Sequence, residues 1–96
     1  MMTLVVNRRR EPFDVYIGRP SKWGNMFSER PYPAMDPRFL VRTRAEAIER
    51  YAAWIQTQPQ LLADLHELRG KRLGCWCVPF RCHGEILADL ADGVLG

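Results

Sequence analysis

No uninterrupted apolar run in the chain approaches the roughly 18–20 residues that cross a bilayer. A membrane partner is therefore excluded as an expectation. Met1–Arg10 is too short and too quickly charged to act as a signal peptide, which makes the cytoplasm the default compartment. Cysteine is also scarce: Cys75, Cys77 and Cys82 are the whole set, and they lie close together. An odd number without a secretion signal argues against a disulfide framework and leaves metal binding, a reactive thiol or burial. Two glycine-rich phosphate signatures are missing, since neither G-x-x-x-x-G-K-[ST] nor G-x-G-x-x-G can be read. A Walker A loop and the dinucleotide fingerprint are thus both excluded.

What is present fits one soluble domain, residues 1–96, able to bury roughly 60–70% of the surface its unfolded chain exposes. Its 47% hydrophobic and 26% charged residues are those of an ordinary globular chain. The formal charge of +3 is unevenly spread, because residues 1–42 hold eight Lys and Arg against four acids. Nearly all these bases are arginine, whose planar fork suits phosphate or carboxylate. An anionic partner for that half is one reading; a genomic bias toward arginine codons is the other. A pI near 9.0 admits nucleic-acid contact without requiring it.

Leu4–Val6 and Val15–Ile17 read as short strands rich in branched residues. Residues 18–42 carry four prolines and two glycines with no lasting period, and are read as an extended binding loop, the alternative being disorder around Arg30–Pro37. Thr43-Arg44-Ala45-Glu46 is a capping box, after which Ile48, Tyr51, Ala52 and Ile55 form one apolar stripe. A second helix is expected from Pro59 to the stop at Gly70. Leu73–Val78 reads as a strand and Glu85–Asp92 as a last helix. The expected fold class is therefore α/β, in the order β-β-loop-α-α-β-α. It is a Rossmann-like fragment with a small, mainly parallel sheet and flanking helices in two or three layers. A helical connection makes the strands at Val15 and Leu73 parallel, so the loops after Gly18 and Val78 meet at one sheet edge. Ligands bind at that edge in open α/β sheets.

The first of those loops holds Gly18, Arg19, Ser21, Lys22, Trp23, Gly24 and Asn25. Its glycines permit close backbone approach, its cations suit a phosphate, and the indole offers a stacking face. The bland reading has Trp23 capping the core and the cations solvated. The second holds Cys75, Trp76, Cys77, Arg81, Cys82 and His83. In a strand Cys75 and Cys77 share one face, and Cys82 and His83 stand at the start of the last helix. One reading makes Cys82 and His83 a nucleophile or acid/base pair, with Arg81 and the helix end lowering the thiol pKa or holding a ligand phosphate. Another makes Cys75, Cys77, Cys82 and His83 a zinc site, although the spacing is not C-x-x-C. A third buries Cys75 and Cys77 as small apolar residues.

The segments G-R-P-S-x-W-G-N, T-R-A-E-A-I-x-x-Y-x-x-W and L-R-G-K-x-L-G-C-W-C-x-P-x-x-C-H-G-E-x-L together resemble a family of small phage and bacterial domains of unknown function. The likeness runs from about Val15 to Leu90. Met26 departs from it, standing where the family's loop usually reads Pro. The resemblance implies a stand-alone domain of phage or prophage origin, acting in host cytoplasm, and lends no activity. From the residues, the leading expectation is a binder of a nucleotide or other phosphate-bearing small molecule, able to act on it through Cys82 and His83. The alternative is a zinc-stabilised module contacting a host protein or nucleic acid. Three tryptophans and a proline-rich flank leave apolar surface that a homodimer would cover.

Overall fold

The computed structural model describes residues 2–78 and 80–93. Three strands form one parallel sheet: β1 (Leu4–Asn7), β2 (Val15–Tyr16) and β3 (Arg72–Cys75), in the spatial order β1-β3-β2. The last strand in sequence is thus the central one. Val5 and Val15 both stand level with Leu73, so the three share one face of the pleat. Parallel neighbours normally need a connection of a dozen or more residues. Residues 8–14 link β1 to β2, which are not neighbours, and the long connection from β2 to β3 supplies the helices.

The strand at β3 ends at Cys75, three residues before the Val78 expected from the sequence. The reason is a loss of partners. Arg8 N–H takes the carbonyl of Cys75 at 2.9 Å and Ile17 N–H that of Gly74 at 3.0 Å, after which both flanking chains turn away. Cys77 therefore lies in a turn, where its carbonyl accepts from Phe80 N–H at 2.7 Å. The same loss trims β2 to Tyr16, leaving Ile17 just outside.

Helix α1 (Arg44–Ile55) begins where the capping box places it. Thr43 Oγ1 accepts from Glu46 N–H at 3.1 Å, and the Glu46 carboxylate reaches one residue further back than expected, to Arg42 N–H at 2.8 Å. That amide holds the Glu46 carboxyl below its ordinary range. The second helix is divided into α2 (Pro59–Ala63) and a 3-10 turn over Asp64–Glu67. Three residues per turn brings Leu65 above Leu68, and Leu68 is fully buried. Helix α3 (Gly84–Ala91) closes the order. Thr3 ties its end to the start of β1, its hydroxyl donating to Asp92 at 2.7 Å and its amide at 3.0 Å.

One core cluster joins Leu73 and Cys75 of the sheet to Tyr51 and Ile55 of α1 and Leu87 of α3. The result is a two-layer α/β arrangement, with the helices on the Val5–Leu73–Val15 face. Gly74 faces the other way, and a Cβ placed there would meet the Phe13 ring at 2.6 Å. Gly74→Ala should accordingly destabilise the fold by about 2 kcal/mol, the scale of overpacking, read as a lower urea midpoint. An unchanged midpoint would show that Phe13 moves freely.

Candidate functional site

Beyond the carboxyl ends of β2 and β3, the two irregular segments are drawn together by side chains that bind backbone. Tyr16 hydroxyl donates to the Arg19 carbonyl at 3.0 Å and accepts from the Trp76 indole at 3.0 Å. Gly18 is required here, since a Cβ would fall on the Tyr16 phenol. Arg19 donates to the Asn25 carbonyl at 3.0 Å, and its guanidinium lies 3.9 Å from the centre of the Tyr32 ring. Asn25 spans to helix α1, donating to the Ala47 carbonyl at 3.1 Å while its oxygen accepts from Phe27 N–H at 2.9 Å. Tyr32 hydroxyl closes the proline-rich stretch on the Met26 carbonyl at 2.7 Å. Residues 30–37, where disorder was the alternative, carry a turn from Tyr32 to Met35.

These contacts leave a cavity of about 500 Å³ between the two segments. Of the residues singled out in the sequence, Gly18, Arg19 and Asn25 line it from one side. Arg81, Cys82 and His83, with Cys75 and Cys77, line it from the other. Ser21, Lys22, Trp23 and Gly24 are not on its wall. Trp23 is 2% exposed in the core, which is the capping role and removes its stacking face. Lys22 points instead to Asp64 and Glu67, each at 3.0 Å. The Ser21 hydroxyl is buried with no hydrogen-bond partner, and Gly24 packs where a Cβ would meet the Arg19 backbone at 3.1 Å. The wall also includes Tyr16, Phe27, Tyr32 and Trp76, and the cations Arg30 and Arg44. Tyr16, Phe27, Arg30 and Tyr32 stand in no motif read from the sequence, whereas Arg44 belongs to the capping box and Trp76 to the cysteine-rich segment.

The thiols differ from the expectation. Cys75 and Cys82 are buried with their sulfurs 3.3 Å apart, and Cys77 is half-buried. Thiol hydrogen bonds from Cys77 and Cys82 pull the Cys75 pKa down. Cys82 moves the opposite way to a helix-activated nucleophile, because bonding to Cys75 and Cys77, together with burial, pushes its pKa up. Its sulfur instead accepts from Gly84 N–H at 3.3 Å. The opening amide of α3 is therefore occupied by the protein itself.

His83 Nε2 lies 2.8 Å from the Ile17 carbonyl, and since a carbonyl only accepts, that nitrogen carries the hydrogen. The ring stands edge-on to Tyr51 at 4.9 Å. Neighbouring Cys82 and His83 thus serve different partners, Cys75 and Ile17. Among the described residues no group of three or more His, Cys, Asp or Glu is arranged to hold a metal ion. The zinc expectation therefore finds no geometry to rest on.

Burial holds the His83 imidazole below its ordinary value of 6.5. The unfolded chain then binds a proton that the folded one refuses, so this stability is present above about pH 6.5 and lost as pH falls below it. The urea midpoint should drop between pH 7.5 and 5.5, and His83→Gln, which keeps a donor for Ile17, should flatten that drop. Carboxyl groups held low, such as Asp92, titrate below this window. Identical slopes in the two proteins would refute the assignment.

Comparison with known proteins places this architecture. Residues 5–93 match the model of a domain of unknown function, DUF4326. The chain is 37% identical over 92 residues to the uncharacterised 12.4 kDa protein in the nrdA-td intergenic region of Enterobacteria phage T4, covering 92% of this chain and 76% of that protein. It is 33% identical over 96 residues to the uncharacterised protein R718 of Acanthamoeba polyphaga mimivirus, covering 80% of this chain and 65% of that protein. This chain therefore spans a little under two thirds of the mimivirus relative's length. No solved structure matches. Among the described residues no helix is long and apolar enough to cross a membrane. With nearly its whole length matched, the chain belongs to the DUF4326 family, whose members include phage and viral proteins.

Proposed function

We propose that the cavity binds a nucleotide or a similar phosphate-bearing small molecule with an aromatic ring. One observation carries this reading. Arg19, Arg30 and Arg44 converge on the cavity wall, and among the described residues none of them is paired with a carboxylate. Arg81, also on the wall, is engaged by Glu85 at 3.3 Å. Unpaired guanidiniums beside aromatic faces suit a phosphate and a base respectively. Glu29 is the acid on the same wall, too little to neutralise them.

A cavity near 500 Å³ is of the size that encloses a small molecule. Binding rests on the arginines and on Tyr16 and Trp76, and not on Lys22 or Trp23. Any reaction on the bound molecule would draw on the thiols and the neutral His83 at the buried side of the wall. Of the three sulfurs the half-buried Cys77 is the one a ligand reaches.

Calorimetric titration with nucleoside mono-, di- and triphosphates, the matching nucleosides and inorganic phosphate tests the reading. A phosphorylated nucleoside should bind, and removal of its phosphate should cost most of the affinity. Arg30→Ala should weaken binding at least tenfold, about 1.4 kcal/mol, whereas Lys22→Ala should leave it unchanged. Absence of binding by every phosphorylated ligand, or equal binding by Arg30→Ala, overturns the proposal.

A further inference from the structure

At and beside the cavity the protein displays two aromatic rings that are largely exposed. Trp76 is 47% exposed and Phe80 is 68% exposed, one on each side of the turn that leaves β3. A single exposed ring is ordinary, whereas rings grouped with polar residues mark an interaction surface. Each is overlaid by arginine. Arg8 and Arg9 stand 4.5 and 4.8 Å from the Trp76 ring centre, and Arg44 stands 5.5 Å from that of Phe80. Arg8 also lies over Tyr16 at 4.8 Å. Among the described residues Arg8, Arg9 and Arg44 are in no ion pair.

The strip is continuous with the cavity, because Tyr16, Trp76 and Arg44 belong to both. We infer that this strip is a binding surface for a single-stranded polynucleotide, with phosphates on Arg8 and Arg9, bases on Trp76 and Phe80, and one nucleotide reaching the cavity. The inference rests on the cavity reading and extends its ligand from a free nucleotide to a strand. Alternating cations and ring faces fit a chain whose phosphates and bases are both accessible. A duplex hides its base faces, leaving the exposed rings idle. An acidic protein surface would use the arginines and leave the same rings without partners.

Fluorescence anisotropy of labelled ten-nucleotide thymidine and uridine strands at pH 7 tests this, beside the corresponding mononucleotides and a ten-base-pair duplex. The strand should bind at least tenfold tighter than its mononucleotide and tighter than the duplex, with affinity falling linearly on a log scale of salt. The double variant Arg8→Ala/Arg9→Ala should lose at least tenfold on the strand and flatten the salt slope by about 1.4, two contacts at roughly 0.7 each. Its mononucleotide affinity should stay within twofold. Phe80→Ala, at an exposed position that the core does not need, should weaken strand binding with unchanged melting. A strand that binds no tighter than the mononucleotide, a duplex that binds equally well, or variants without effect on the strand overturns the inference and leaves the cavity reading standing. Strand binding with no mononucleotide binding supports the surface and removes the cavity reading.

Discussion

The Tyr51 hydroxyl, wholly buried on α1, donates to the Trp23 carbonyl at 2.8 Å, and the rest of the site is arranged around that bond. It fixes the loop after β2 to a helix that begins some twenty residues later. The same ring lies 4.9 Å from His83, at the start of α3, and His83 in turn donates to Ile17 at the end of β2. Three segments distant in sequence are thereby locked through one aromatic group. A buried hydroxyl without a partner costs about 1–3 kcal/mol. The loop must therefore offer its carbonyl at that point, and the Trp23 indole is buried in the same core.

Charge is distributed by the same logic of local satisfaction. Asp36 binds Arg38, Glu46 binds Arg50, Asp64 and Glu67 bind Lys22, and Asp14 binds Arg72. Such exposed pairs contribute little to stability, typically below about 1 kcal/mol each. Their effect is to engage those carboxylates with cations other than Arg19, Arg30 and Arg44 of the cavity wall. Among the arginines in no ion pair with a described residue, four lie over rings: Arg19 on Tyr32, Arg8 and Arg9 on Trp76, Arg44 on Phe80. A guanidinium on an aromatic face keeps its charge available and its plane oriented.

Local signals in the sequence carried most of the architecture. The capping box set α1 at Thr43 and the apolar stripe chose Ile48, Tyr51 and Ile55 for the core, because both depend on residues within one or two turns. The parallel sheet followed from a helical crossover, and with it the meeting of the two loops at one edge. Side-chain direction was less legible. Trp23 and Lys22 sit next to each other in a loop with no period, and nothing nearby in sequence says that one turns to Tyr51 and the other to Asp64 and Glu67. The length of β3 was misread for a related reason: a strand stops where its neighbours stop, and those neighbours are more than fifty residues away. Arg30 and Tyr32 reach the wall only because the proline-rich stretch folds back, and Arg44 because the first turn of α1 borders the cavity, neither of which residues nearby in sequence reveal.

That outcome bears on how an anion would be held. A strand-to-helix turn at the carboxyl edge of a parallel sheet usually offers free amides to a phosphate. Here Cys82 occupies them, its sulfur taking Gly84 N–H at 3.3 Å and its carbonyl taking Glu85 N–H at 3.1 Å. His83 carbonyl then takes Leu87 N–H at 3.1 Å. The amides of Gly84, Glu85 and Leu87 are thus taken within the protein, and the sulfur that holds the first of them is also fastened to Cys75. An anion in this cavity would be met by side chains, and arginine combines a permanent charge with a planar donor fork that rests on an aromatic ring. The cysteine-rich turn and the arginines of the wall are therefore linked features: because Cys82 occupies two of the opening amides of α3, guanidiniums are the donors the cavity would offer an anion.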